Sequence, residues 1–267
     1  MTKILAGGYI MQPMSTYEKL ALIMSGVAIL IPIVQWIWKK YIQKPRLNFL
    51  PTGRAFLFCN RSGSYIRIEG VYEAQKKPIT VKNISVIVRR KKDDNQLRLQ
   101  WSVFISPVNQ SLIGNYMLST ETAHPFRIEA DSIVSAFTEF SDPFDSAGKT
   151  LQPIFEKNQS IIAELRKENA DYQTALIKFV ETPEYAEAKS SMEKQLFWEI
   201  GQYAVTIEVQ YGKKTERFAY EFEVNQAEND KMLSNIKESI ISDLKSAYNI
   251  PLSMQTILVE IKEKRIS

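Results

Sequence analysis

The stretch GQYAVTIEVQYGKKTERFAYEFEV, residues 201–224, decides the fold. Tyr203, Val205, Ile207 and Val209 alternate with polar residues, and after GKKTE so do Phe218, Tyr220, Phe222 and Val224. A period of two marks a strand with one buried face, and two such runs around a short Gly-containing gap make a hairpin.

The same texture extends upstream. LNFLPTG and RAFLFCN read as short strands, and SYIRIEGVYEA places Ile66, Ile68, Tyr72 and Ala74 on one face. ITVKNISVIVRR and QLRLQWSVFI, joined by KKDDN, set Ile84, Val86 and Val88 opposite Leu97, Leu99, Trp101 and Val103. PFRIEADSIVSAFTEF adds one or two strands. About seven antiparallel strands of this kind predict a two-sheet sandwich.

Between the two strand groups the period changes. Ile154, Ile161, Leu165, Tyr172, Leu176 and then Phe179 or Val180 recur at helical spacing, and Thr182-Pro183 reads as an N-cap and first-turn proline opening a second helix through Leu196. These helices are expected to project from one edge of the sandwich. A third helix is expected from Ala227 to Tyr248, with Leu233, Ile236, Ile240 and Leu244 in one stripe, stopping at NIP. QTILVEIKEK then alternates Ile257, Val259 and Ile261 as a last strand.

The order of these pieces resembles the immunoglobulin-like sandwiches of prokaryotic membrane-anchored proteins. GQYAVTIEVQYG followed by ERFAYEFEV looks like the final hairpin of such a domain, with Tyr203 where a corner tyrosine sits. The resemblance covers roughly 130 residues; the inter-sheet disulfide of antibody domains is absent and the helical insertion departs from the pattern. It implies a recognition scaffold and names no ligand.

Leu20 to Trp38 is 19 residues without a charge, close to the ~20 a helix needs to cross ~30 Å of hydrocarbon. Trp36, Trp38 and Tyr41 form an aromatic belt on one flank and Tyr17 marks the other. A cleavable leader would offer a small-x-small site after the apolar run; QWIWKKY stands there instead, so the span is read as uncleaved. Lys39, Lys40, Lys44 and Arg46 follow the span while Lys3 and Lys19 precede it, which by the positive-inside rule places the large domain in the cytosol beneath the inner (plasma) membrane. Sequons at Asn60, Asn83, Asn109 and Asn158 would argue for the other side in a eukaryote, and are weighed lightly because such triplets arise by chance. Within the span, Ser25 and Gly26 permit close helix approach, Pro32 removes a backbone hydrogen bond and Gln35 is a lone amide, so these four are the candidate span–span contacts. Trp36, Trp38, Lys39, Lys40, Tyr41, Lys44 and Arg46 are the candidate lipid-headgroup contacts.

The net charge of +4 belongs to this flank. Residues 1–47 hold six basic residues against Glu18, leaving 28 basic and 29 acidic residues from Asn48 onward. A nucleic-acid binder carries its basic excess on the binding surface, so nucleic acid is not an expected partner. Cys59, the single cysteine, forbids an intrachain disulfide and is expected to be buried and inert.

Chemistry is sparse. His124, in TAHPF, is the one histidine and has no second histidine or cysteine at zinc spacing. AGKT at Ala147–Thr150 lacks the upstream glycine of a phosphate loop, and no serine sits in G-x-S-x-G. Asp142 and Asp145 in FSDPFDS are read as turn residues, and Arg89–Lys92 beside Asp93-Asp94 as a solvated hairpin tip. No catalytic residue, cofactor or metal is expected.

The sequence thus predicts a mainly β fold with α: a short segment (1–19), a transmembrane helix (20–38), a basic linker (39–46), an Ig-like antiparallel sandwich (47–150 and 199–225), a helical insertion (151–198), and a C-terminal helix with a last strand (226–267). The function expected is a non-enzymatic single-pass membrane protein whose cytosolic domain binds a macromolecular partner, another protein or a second copy, as well as membrane lipids. The alternative is an effector of a bacterial immune or toxin system, whose soluble domain senses a signal and whose spans cluster to permeabilise the bilayer.

Overall fold

The computed structural model describes residues 15–108 and 117–264, in two compact units, Met1–Pro45 and Arg46–Ser267. In the first, helix α1 (Thr16–Ile37) starts earlier than the apolar run because a capping box sets its origin. The Ser15 hydroxyl accepts from the Glu18 amide at 3.2 Å, and the Glu18 carboxylate accepts from the Ser15 amide at 2.7 Å. Its 22 residues rise about 33 Å. Pro32 lies inside the helix and no residue of α1 is buried. A π-turn, Trp38–Ile42, follows and closes on Gln43, whose amide donates to the Trp38 carbonyl at 2.9 Å. Of the predicted segment 1–19, Thr16–Lys19 belong to α1 and residues 1–14, with Lys3, lie outside the described residues.

Among its described residues the second unit has eleven strands: β1 (Arg46–Asn60), β2 (Gly63–Gln75), β3 (Ile79–Arg90), β4 (Gln96–Val108), β5 (Met117–Thr122), β6 (Phe126–Ile128), β7 (Ser132–Ser141), β8 (Gly201–Tyr211), β9 (Lys214–Val224), β10 (Ile257–Glu260) and β11 (Lys262–Glu263). All hydrogen-bond into one antiparallel sheet in the order β10-β1-β2-β7-β4-β3-β8-β9-β11, with β5 on β4 and β6 on β3. β10 lies on β1 (Ala55↔Val259) and β11 on β9 (Lys262↔Glu221), so the C-terminal strands bring the two ends of the sheet together. The result is a nearly closed, barrel-like sheet.

This corrects the expected sandwich. β7 inserts between β2 and β4 (Tyr72↔Val134, Phe104↔Thr138) and splices the first two hairpins into one sheet, where a sandwich would divide them between two. Three bulges, between Pro51 and Ala55, Val81 and Asn83, and Trp101 and Val103, interrupt the ladder. Bulges sharpen twist and let a sheet curl. LNFLPTG and RAFLFCN are one strand, β1, bent at the first bulge, where Gly53 takes φ +84°.

The inward faces match the alternation. Ile66, Ile68, Tyr72, Ala74, Ile84, Val86, Val88, Leu99, Tyr203, Val205, Ile207, Val209, Tyr220, Phe222 and Val224 are all buried in one core. Both predicted hairpins form, with Val86↔Leu99, Val88↔Leu97 and Tyr203↔Phe222 in register.

The helical insertion holds three helices where two were expected: α2 (Ser146–Lys167), α3 (Tyr172–Val180) and α4 (Pro183–Gln195). Thr182 caps α4 as read, its hydroxyl accepting from the Tyr185 amide at 3.2 Å. The buried stripe of α2 is Leu151, Phe155, Asn158, Ile162 and Leu165, one turn-phase away from the predicted Ile154 and Ile161, which are only partly buried. The C-terminal helix breaks at Ile241 into α5 (Gln226–Ile240) and α6 (Ser242–Ala247). α2 packs on α4 and α6, and α5 on α4, β1 and β10. The helices share the core of the sheet and do not project from an edge. α2 leaves from the end of β7, α4 leads to the start of β8, and α5 leaves from the end of β9. Antiparallel pairing puts those three points at one end of the sheet. Arg46, which opens β1, lies at the other.

Candidate functional site

Where the chain passes from β10 to β11 it leaves β1 for β9, and an open cleft of about 960 Å³ lies along this crossing. Alternation explains its polarity. With Tyr220, Phe222 and Val224 turned to the core, Glu221 and Glu223 of β9 face outward into the cleft. Glu260 and Lys262 come from the crossing strands, Lys91 from the β3–β4 turn and Glu228 from the first turn of α5. Lys91 Nζ pairs with Glu221 at 2.6 Å and Lys262 with Glu260 at 3.2 Å. Glu228 accepts from the Asn225 amide at 2.7 Å, completing a second capping box. Glu223 and Glu263, also in the lining, form no ion pair among the described residues. The cleft therefore presents exposed carboxylates able to accept hydrogen bonds from a polar or basic surface.

A second charged group closes the far side of the β3–β4 turn. Arg90 follows Ile84, Val86 and Val88 in the inward alternation and is only 6% exposed. Its Nε and Nη2 donate to Asp93 at 3.0 and 2.8 Å, and Nη1 meets Glu199 Oε1 at 2.6 Å and the Phe197 carbonyl at 3.2 Å. Lys92 also bonds Glu199. The hydrogen bond from Lys92, then that from Arg90, holds the Glu199 carboxyl below the usual carboxylate range. The hydrogen bond to Asp93 fixes the proton of Arg90 more firmly still. The reading of Arg89–Lys92 as a solvated tip is thus wrong for Arg90, whose place in the period-two pattern was the available clue. Tyr203, the resemblance's corner tyrosine, donates to the carbonyls of Phe197 (3.1 Å) and Glu199 (2.6 Å) in the same neighbourhood. The corner contact is present although the sandwich is not.

Ser25, Gly26, Pro32, Gln35 and Trp36 all lie in α1. A Cβ added at Gly26 would meet nothing. Trp38, Lys39, Lys40 and Tyr41 form the π-turn, Lys44 follows it, and Arg46 opens β1. The side chains of Lys39 and Lys40 lie outside the described atoms. Trp36 and Tyr41 meet edge-on, ring centroids 6.1 Å apart, and with Trp38 they are exposed. Cys59 is buried, and burial pushes its thiol up to about 12. His124 is exposed, its Nδ1 3.0 Å from the Thr122 carbonyl. Asp142 accepts from the amides of Phe144 and Ser146, the turn role read for it. Among the sequons, Asn60 and Asn83 are exposed, Asn109 lies outside the described residues, and Asn158 is 1% exposed. Among the described residues both amide atoms of Asn158 lack a hydrogen-bond partner. Among the described residues no three His, Cys, Asp or Glu side chains converge in a metal-binding arrangement.

No protein-family model matches this chain, and no curated protein matches it in sequence. Solved structures similar to it include a family 123 glycoside hydrolase from Clostridium perfringens, at TM-score 0.31 and 13% identity over 68% of this chain. Another is Spo0M, a sporulation control protein from Bacillus subtilis, at TM-score 0.26 and 8% identity over 72% of this chain. This chain spans 28% of the hydrolase and 54% of Spo0M. The expectation that the chain is not an enzyme is withdrawn on this finding, since a hydrolase stands among its structural neighbours. Likeness at this level assigns no activity to the chain either.

Proposed function

We propose that this chain is a single-pass membrane protein whose barrel-like domain, held at the cytosolic face of the inner membrane, binds a macromolecular partner. The observation that carries the reading is α1: 22 residues, apolar from Leu20 to Trp38, long enough to cross a bilayer and with none of its side chains buried. An apolar helix with its side chains exposed is stable in lipid and costly in water. The basic residues that follow it support a cytosolic domain. The carboxylate-lined cleft along the β9–β11 crossing offers a polar partner surface, with Glu223 and Glu263 in no ion pair among the described residues.

Membrane fractionation with alkaline carbonate and a C-terminal alkaline phosphatase fusion test the anchor and its direction. Retention in the pellet and an inactive fusion are expected; extraction, or an active periplasmic fusion, overturns them. Cross-linking in membranes is expected to capture a stoichiometric protein partner that Glu223→Lys with Glu263→Lys loses. A second reading, clustering of spans to permeabilise the bilayer, is favoured by Pro32, which leaves the Ala28 carbonyl without its helical donor inside α1. A potential-sensitive dye separates the two, because only the second reading predicts depolarisation.

A further inference from the structure

The strand register gathers lysines at the end of the sheet away from the helices. Arg46 pairs with Gln75, which puts the β2–β3 connection, Lys76 to Pro78, beside the first residue of β1. Val81 pairs with Tyr211, which carries the β8–β9 turn, with Lys213 and Lys214, to the same end. Arg127, opposite Thr80, is there too. Arg46, Lys76, Lys213 and Lys214 are exposed, and their side chains form no ion pair among the described residues. Among the described residues the acids of this end are engaged: Glu129 pairs with Arg127 at 2.8 Å, Asp131 accepts from the Lys76 amide at 2.9 Å, Glu216 accepts from the Tyr211 hydroxyl at 3.1 Å, and Glu73 accepts from the Asn48 side-chain amide at 2.8 Å.

The helical segments have the opposite sign. The segments between β7 and β8 and between β9 and β10 (142–200 and 225–256), which hold all its helices, carry fifteen acidic and ten basic residues. The remainder from Arg46 onward carries nineteen basic and fourteen acidic residues. The formal charge of the unit is zero, and Arg61 and Arg90 to Lys92 lie at the helical end. The other end is therefore marked by Arg46, Lys76, Lys213 and Lys214, unpaired among the described residues, and not by the net count. Its basic end begins at Arg46, the residue joined covalently to Pro45 and, through it, to the segment that follows α1.

We propose that this basic end is a docking surface for anionic lipid headgroups, with Lys76, Lys213 and Lys214 as its principal contacts. The inference rests on α1 being the membrane anchor. Given that, the anchor supplies proximity and the lysine turns supply orientation. Anionic lipid attracts the basic end and repels the acidic helical layer, so the helices and the carboxylate cleft are left to the aqueous side. Each lysine near such a surface favours the docked orientation by about fivefold, and the attraction weakens as salt shortens the screening length.

The test uses the full chain in nanodiscs of phosphatidylcholine alone or with phosphatidylserine, each containing a headgroup-quencher lipid. A fluorophore is attached at Thr215→Cys, or in a second variant at Ser190→Cys in α4; buried Cys59 stays unlabelled in both. Quenching at position 215 that rises with phosphatidylserine, falls with salt, and is lost in K76E/K213E/K214E supports the proposal, provided position 190 stays unquenched. Equal quenching with and without phosphatidylserine, preferential quenching at 190, or indifference to the lysine reversals overturns it. So does the same response to inorganic phosphate in discs lacking phosphatidylserine, which would assign the lysines to a soluble anion. Co-migration of chain and disc on gel filtration reports the anchor separately. Its failure removes the anchor reading and this inference together, whereas incorporation without charge-dependent quenching removes this inference alone.

Discussion

The hydroxyl of Tyr220 on β9 donates to the carbonyl of Phe49 on β1 across 3.2 Å, bridging two strands that no backbone ladder joins directly. β10 and β11 close only part of the seam, and aromatic side chains close the rest. Phe49 meets Tyr72 at 4.6 Å, Phe218 at 6.0 Å and Tyr220 at 6.2 Å between ring centroids. Tyr220→Phe keeps the ring and removes the donor, and is expected to cost about 1–2 kcal/mol. Chemical denaturation checks this; an unchanged midpoint would mean the Phe49 carbonyl finds another partner.

Gly70 lies under the same ring. A Cβ there would collide with the Phe49 ring and stand 2.9 Å from the Leu50 carbonyl. Gly70→Ala is expected to destabilise by about 1–3 kcal/mol. Combining it with Phe49→Leu should cost less than the two single changes summed, because the clash is shared. Strict additivity in the denaturation midpoints would show that the ring does not rest on this glycine.

The Arg90 group sets an acid limit. Glu199 titrates below its ordinary range in the folded chain, chiefly through Lys92 and then Arg90, and regains the ordinary value on unfolding. Its contribution is therefore present above the usual carboxylate range and lost as pH falls through the folded value. Glu199→Gln should lower stability modestly near neutrality and change little below the folded value, so the acid limb of a melting-temperature profile flattens. Both carboxylate partners of Arg90 are more than 40% exposed, so Arg90→Met should cost about 1–2 kcal/mol, below the range for a fully buried pair. An acid limb unaltered by Glu199→Gln would remove the ion pairs from the account.

Cys59 sets the alkaline counterpart. Burial raises its thiol to about 12, and Tyr203, Tyr211 and Tyr220 are raised by burial to about 12 as well. Each raised group stabilises fully below its unfolded pKa, and the contribution disappears as pH climbs toward 12. Stability should decline from about pH 9 upward. At pH 8 an alkylating reagent should modify Cys59 only after denaturant is added. Rapid labelling of the native chain would contradict its burial.

Much of the local structure was legible in the sequence. The alternation of Tyr203 to Val209 and of Phe218 to Val224 specified strands and faces, because the side-chain period of a strand is a local property. Thr182-Pro183 specified the start of α4 for the same reason. Arg90 was misread because its burial depends on Asp93, Glu199 and the Phe197 carbonyl, which only the folded turn assembles. The cleft was invisible because Lys91, Glu221 and Glu260 come from separate parts of the chain.

The sequence by itself determined that an apolar helix precedes a strand-rich domain interrupted by helices, since hydrophobic period and length need no long-range contact. Only the tertiary structure decided between sandwich and barrel. Inward and outward faces alternate alike in both, and the choice lay in β7 seating between β2 and β4 and in Ile257–Glu263 crossing from β1 to β9. The same long-range pairing brought Lys76 and Lys213 to one end of the sheet, turning scattered charges into a surface with a direction.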